Sequence, residues 1–190
     1  IISKDENIKN FKTNKFSQLV DGLGKRRIAN AMMGPKLPFI LREASINDKF
    51  ILFEMANDND VRQNSFNQAK ISISSHNKWF KEKITNKFVK ILLAEDKNKI
   101  IFGQIRFDRE HDSNKVIIDI SIDKLSRGYG LSIEILKKSI LFIKNMWDEK
   151  LIFYGEILID NKASNACFAK VGFKKIKTNS NQINLWQLEL

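Results

Sequence analysis

A run of β-formers, Ile117-Ile118-Asp119-Ile120-Ser121-Ile122, is followed closely by Arg127-Gly128-Tyr129-Gly130-Leu131-Ser132. Ile133, Leu136, Ile140, Ile143 and Trp147 then recur at spacings of three and four. That spacing predicts a helix with a single apolar stripe. A strand, a glycine turn and an amphipathic helix in immediate succession commit this part of the chain to an α/β layer. The two glycines let the backbone turn tightly and come close to a ligand. The helix start leaves amides unpaired at the positive end of the dipole, which is a seat for phosphate. Arg127 adds a cation there. Taken by itself, the same pattern also serves as a plain strand–helix turn.

A second strand–helix junction follows about thirty residues later. Glu156-Ile157-Leu158-Ile159-Asp160-Asn161 leads into a short helix that ends at Phe168-Ala169-Lys170-Val171-Gly172-Phe173. Gly172 is the expected stop.

Around these junctions the pattern alternates. Strands are expected at 37–43, 88–94, 100–107, 116–122, 151–159, 173–177 and 183–190. Helices are expected at 46–56, from Ser74 or Ser75 to Ile84, at 131–147 and at 161–171. Asn57-Asp58-Asn59-Asp60 reads as a breaker, residues 62–73 as polar and irregular, and Glu95-Asp96-Lys97-Asn98 as a hairpin turn. Residues 1–34 read as separate from this domain of 37–190. They contain a partly apolar stretch at 16–20, a turn at 21–24 and a helix at 25–33, and Gly34-Pro35 stops that helix. So short a segment buries little alone and should pack on the main domain or on a partner. The chain begins with Ile1 rather than Met, which fits a piece of a longer polypeptide.

The bulk numbers narrow the class. At 190 residues there is room for one well-buried domain, and 43 % hydrophobic with 29 % charged residues is ordinary for a globular protein. No apolar run approaches the roughly 20 residues that cross a bilayer, so no membrane partner is expected. One cysteine, Cys167, allows no internal disulfide and fits a reducing, cytoplasmic compartment. Two histidines and one cysteine, far apart, argue against a structural zinc site, and no metal is expected. The net charge of +11 is carried by scattered lysines such as Lys81, Lys83, Lys97, Lys138 and Lys174. It reads as a solvated surface with some pull on phosphates rather than as a nucleic-acid interface.

The two junctions together resemble the GNAT superfamily of N-acetyltransferases. In that family an Arg/Gln-x-x-Gly-x-Gly/Ala pattern follows the fourth strand, and Arg127, Gly130 and Ser132 stand at its fixed places, with Ser132 a small departure. The later family pattern appears as Asn161, Ser164 and Gly172-Phe173. The resemblance implies a mixed, mostly antiparallel sheet of about seven strands flanked by about four helices, with the fourth and fifth strands splayed. It implies acetyl-CoA as cofactor. The pyrophosphate would lie on the turn of Arg127, Gly128, Tyr129, Gly130, Leu131 and Ser132, and the pantetheine arm along Ile120, Ser121 and Ile122. Asn161, Ser164 and Phe168 would line the arm near the thioester. The reaction would be direct transfer to an amine, with a carboxylate as general base. Glu156 and Asp119 are the candidates. Glu156 is favoured, because related nucleotide-sugar acetyltransferases carry a glutamate five residues before the asparagine. Many relatives place a Tyr where this chain has Phe168, which has no proton to give, so the sulfur's proton is expected from water.

Asn57-Asp58, Arg62-Gln63-Asn64-Ser65 and His76 with Trp79-Phe80 resemble the acceptor side of acetyltransferases acting on UDP-linked 4-amino-4,6-dideoxy sugars in the pseudaminic-acid pathway. Arg62, His76, Trp79 and Phe80 are the implied acceptor contacts, and a UDP-amino sugar is the implied substrate. Trp79 and Phe80 read equally as core residues of an amphipathic helix. Leu19-Val20-Asp21-Gly22-Leu23-Gly24 resembles the end of that pathway's UDP-sugar hydrolase, so residues 1–34 are read as a remnant of a fused upstream domain. A homodimer is also an open expectation. Two other readings stand beside this one: acetylation of a protein N-terminus, as of a ribosomal protein, and a non-catalytic module that keeps the fold.

Overall fold

The computed structural model describes residues 24–147 and 150–190. Among the described residues seven strands form one sheet in the order β1-β2-β3-β4-β5-β7-β6. They are β1 (Ile40–Glu43), β2 (Val89–Glu95), β3 (Ile101–Arg109), β4 (Lys115–Ile122), β5 (Ile152–Leu158), β6 (Lys174–Thr178) and β7 (Ile183–Glu189). Each neighbouring pair is antiparallel except β4 and β5, which run parallel. The helices are α1 (Gly24–Met33), α2 (Lys49–Ala56), α3 (Asn59–Gln63), α4 (Ile73–Thr85), α5 (Leu131–Trp147) and α6 (Lys162–Val171).

β2 is apolar on both faces, as a strand covered on both sides must be, whereas β3 turns Gly103, Ile105 and Phe107 to one side and Gln104, Arg106 and Asp108 to the other. One layer is α5, which buries Leu131, Ile135, Leu136, Ile140 and Ile143 against Phe102, Phe107 and Phe153 of the sheet. On the other side Leu52 of α2 and Phe80 of α4 pack with Val89, Ile91 and Leu93. Arg42 pins the β1 edge: it donates to Glu95 at 2.7 Å and makes a paired contact with Asp48 at 2.8 and 2.9 Å.

The segments between these elements differ from the sequence expectation in two places. Residues 59–63 are helical, because Asp58, read as part of a breaker, is an N-cap whose carboxylate accepts from the amides of Asp60 and Val61. Ser72, rather than Ser74 or Ser75, caps α4, accepting from the Ser75 amide at 3.1 Å. The segment at 16–20, most of the 21–24 turn and the hydrolase-like stretch lie outside the described residues. The helix that follows them, α1, packs on the main domain through Asn30, which reaches Leu125 and Ser126.

The feature that positions the site is the short reach of the parallel pair. β4 and β5 are joined at Lys115↔Ile152, Val116↔Phe153 and Ile117↔Tyr154, and the ladder stops there. Beyond it residues 118–122 and 155–158 part. β4 stays paired to β3 as far as Ile122, and β5 to β7 as far as Leu158. Each strand therefore keeps one partner and opens its other edge.

Candidate active site

The parted strands open onto a cavity of about 560 Å³. Residues 118–122 form one wall and Glu156 and Ile157 the other. Gly128, Gly130, Leu131 and Ser132 stand at one end, and Trp79, His76 and Arg106 at the other.

The glycine turn has the conformation its sequence requires. Gly128 has φ +82° and Gly130 φ +77°, values that residues with a side chain rarely adopt. A Cβ on Gly128 would meet nothing within 4 Å, so the backbone there is open to a ligand. The first amides of α5 have no acceptor inside the helix. The side chain of Tyr129 packs against the main core and only its backbone belongs to the turn.

Arg127 does something the sequence did not disclose. Its Nε donates to the Ile122 carbonyl at 2.8 Å, and its two terminal nitrogens bind Asp60 at 2.5 Å and Asp58 at 2.7 Å. The guanidinium thus ties the end of β4 to the cap of α3. Burial opposes ionisation of Asp58, but Arg127 outweighs it and holds the Asp58 carboxyl below the usual aspartate range.

The far junction is built around two amides. Asn161 caps α6 by accepting from the Ser164 amide at 3.0 Å, and both residues line the cavity. Asn165, which sequence reasoning passed over, donates to Leu158 and Asn161 and accepts from Asn184 and Trp186, all within 3.0 Å. It locks α6 to the end of β5 and to β7. Phe168 is fully buried with its ring against Gly155, where a methyl group would collide with it. Cys167 lies next to it, and burial pushes its thiol up, so it stays protonated as a wall residue.

Both candidate carboxylates face the cavity. Asp119 is engaged: the Gln104 amide is 3.3 Å away and Arg106 3.5 Å. Glu156 is exposed to the cavity and has no hydrogen bond or ion pair among the described residues.

The acceptor-side residues separate. Trp79 lines the cavity, with the Arg106 guanidinium 5.5 Å from its ring centre. Phe80, expected beside it, is wholly buried under the sheet and does not line the cavity; one position along a helix turns a side chain by about 100°. His76 is 2 % exposed, shares a hydrogen bond with the Lys49 carbonyl at 2.9 Å, and sits among Phe53, Trp79 and Phe80. Burial pushes its imidazole down, so it stands in the wall as a neutral ring rather than as a cation for phosphate. Arg62 reaches the cavity, but its guanidinium closes its own loop, bonding Ala56, Ser65 and Asn67 at 2.6 to 3.2 Å. Arg106 is the cation that sequence reasoning missed. Its charge is held by Asp108 and Asp119 on two strands, and only the register of β3 with β4 brings these together.

Residues 39–174 match the family model described as Acetyltransferase (GNAT) domain. The chain belongs to the GNAT acetyltransferase family. It is therefore an acetyl-CoA-dependent N-acetyltransferase. No curated relative matches at the level of sequence. Among solved structures, a domain from Methanocaldococcus jannaschii superposes with TM-score 0.69 at 18 % identity, covering 80 % of this chain and 99 % of that one. A spermidine N-acetyltransferase from Vibrio cholerae, in complex with CoA and spermine, superposes with TM-score 0.69 at 12 % identity and covers 80 % and 94 %. AAC(6')-Ib in complex with paromomycin and acetyl-CoA gives TM-score 0.66 at 16 % identity and covers 78 % and 91 %. At such identities the likeness is one of fold.

The GNAT cofactor suits what this chain presents. A long, bent ligand with a diphosphate at one end and a thioester at the other needs open amides, then an unpaired strand edge, then an apolar wall. The turn at 128–132, the free edge of β4 and the Phe168 region supply these in that order. Among the described residues no group of three or more His, Cys, Asp or Glu could hold a metal ion, and no helix is long and apolar enough to cross a membrane.

Proposed function

We propose that this acetyltransferase acetylates the amino group of a nucleotide-linked amino sugar, with Glu156 as general base. The observation that carries the reading is the make-up of the cavity. The open edge of β4 and the turn of two positive-φ glycines lie on one side, an aromatic face with a cation beside it on the other, and an unengaged carboxylate between them.

Acetyl-CoA supplies an activated acetyl thioester. The amides of residues 128–132 would hold its diphosphate, and main-chain groups of Ile120, Ser121 and Ile122 would pair with its pantetheine arm. Asn161, Ser164 and Phe168 would line the arm near the sulfur. Glu156 takes the proton that the acceptor nitrogen gives up, which keeps that nitrogen's lone pair available. Phe168 gives no proton, so the departing sulfur takes one from solvent. Arg127 would orient the turn and the acceptor wall through its pairs with Asp58 and Asp60.

On the acceptor side Trp79 offers a flat face for a base or a deoxy-sugar methyl, and Arg106 a fork for phosphate or sugar oxygens. The likeness of residues 57–80 to pseudaminic-acid-pathway acetyltransferases supports a UDP-linked 4-amino-4,6-dideoxy sugar. A coupled thiol-release assay over UDP-amino sugars, spermidine and N-terminal peptides tests this. Turnover with the UDP-sugars at least about tenfold above the others is expected. Turnover with spermidine or peptides alone would overturn the acceptor.

A further inference from the structure

Residues 24–36 precede the 39–174 span of the family domain, yet they touch both the short helical turn just before the glycine turn and the glycine turn itself. Asn30 of α1 is fully buried. Its amide donates to the Leu125 carbonyl at 2.9 Å and the Ser126 hydroxyl at 3.3 Å, in the short helical turn Lys124–Ser126 just ahead of Arg127. Its Oδ1 is enclosed and has no partner among the described residues. A buried unpaired oxygen is a cost that an apolar side chain would not carry, so the value of Asn30 lies in its two donors.

The second contact is with the middle of the turn. Gly34 adopts φ +48° and passes the Tyr129 carbonyl so closely that a Cβ there would stand 3.5 Å from it. The Pro35 ring lies against Gly130, 3.5 to 3.6 Å from where a Cβ would be. The turn depends on two glycines, the residues that lose most freedom when fixed. Amides preset toward a ligand bind it better than amides that must be ordered on arrival.

We infer that residues 24–36 are a brace that presets the pyrophosphate-binding turn, with Asn30 and Pro35 as positioning residues for acetyl-CoA. The inference rests on the diphosphate seat proposed above. A brace acting on that turn affects ligands that carry the diphosphate and spares those that lack it. Coenzyme A and pantetheine, which shares the arm but has no diphosphate, should therefore be titrated calorimetrically into the full chain and into Asn30→Ala, Pro35→Gly, Ile28→Ser and Gly130→Asp. Ile28 lies on the exposed side of α1 and serves as the control. Asn30→Ala and Pro35→Gly should each weaken coenzyme A about three- to tenfold, the scale of one lost hydrogen bond or contact. Pantetheine affinity should stay within about twofold, and Ile28→Ser should bind as wild type. Unchanged coenzyme A affinity in both brace variants, with Gly130→Asp impaired, would overturn the brace and leave the seat standing. Unchanged affinity in Gly130→Asp would overturn the seat and the brace together. Equal losses for coenzyme A and pantetheine would mean a general loosening of the fold and would also overturn the brace.

Discussion

The two ends of the cavity are made from different materials. The end proposed for the cofactor is backbone: glycines at positive φ, a helix start and an unpaired strand edge. The end proposed for the acceptor is side chain: Trp79 beside Arg106, with Asp108 and Asp119 balancing the cation and His76 neutral behind them. A backbone site recognises what every acetyl-CoA presents, and changes of acceptor leave it untouched. A side-chain site can be altered residue by residue without disturbing the sheet. One scaffold can in this way keep its cofactor and change its amine.

Substitutions can break this contrast. The largest effect is expected between the two ends. Glu156→Gln should slow transfer about 100-fold, the usual contribution of a general base, while coenzyme A affinity stays as it was. A wild-type rate would shift the role to Asp119 or water. At the proposed cofactor end Gly130→Asp should weaken coenzyme A about 30-fold, since it combines backbone strain with a side chain that starts against Pro35 and a negative charge beside the turn. Gly155→Ala should destabilise the fold by about 2 kcal/mol through its collision with the Phe168 ring, measured by urea unfolding. A change below about 0.5 kcal/mol would show that Phe168 can move aside. At the acceptor end Trp79→Ala should raise the acceptor KM about tenfold and leave that for acetyl-CoA within about twofold. If both rise together, the two ends are not separate.

The smallest effect is a pH dependence of stability. Burial holds the His76 imidazole below its ordinary value of 6.5. Below about that pH the unfolded chain takes up a proton that the folded chain refuses, so stability falls. Asp58 and Asp108 are held below the ordinary 3.8: burial opposes this, and Arg127 for the one and Arg106 with Lys83 for the other outweigh it. Their contribution is complete above that value and is lost as pH drops through the lower folded values. Thermal melts should therefore decline in two stages on acidification. A flat melting temperature between about pH 7 and 5.5 would contradict the first.

The same contrast explains what could be read from the sequence. Backbone sites leave local marks, and so Gly128 and Gly130 before an apolar stripe, and Asn161 three residues before Ser164, were visible in the string. The succession of strands and helices along the chain and most of their boundaries followed from periodicity, whereas the sheet they build was implied by the family resemblance. What escaped depends on distance and direction. Asp58 looked like a breaker because turns and N-caps use the same residues. The pairing of Arg127 with Asp60 and Asp58 escaped because those partners lie 67 and 69 positions away. Trp79 and Phe80 could not be told apart until the face of α4 that meets the sheet was known. Arg106 carries no local signature, since its counterions come from a neighbouring strand and its own strand face.

The parting of β4 and β5 beyond Ile117 and Tyr154 is the feature on which the remaining assignments depend. A crystal structure with coenzyme A tests it most directly. The expected result places the diphosphate on the amides of residues 128–132 and the sulfur between the parted strands, close to Glu156 and Phe168. Coenzyme A seated elsewhere, or a ladder that continues past Ile117 and closes the gap, would contradict it.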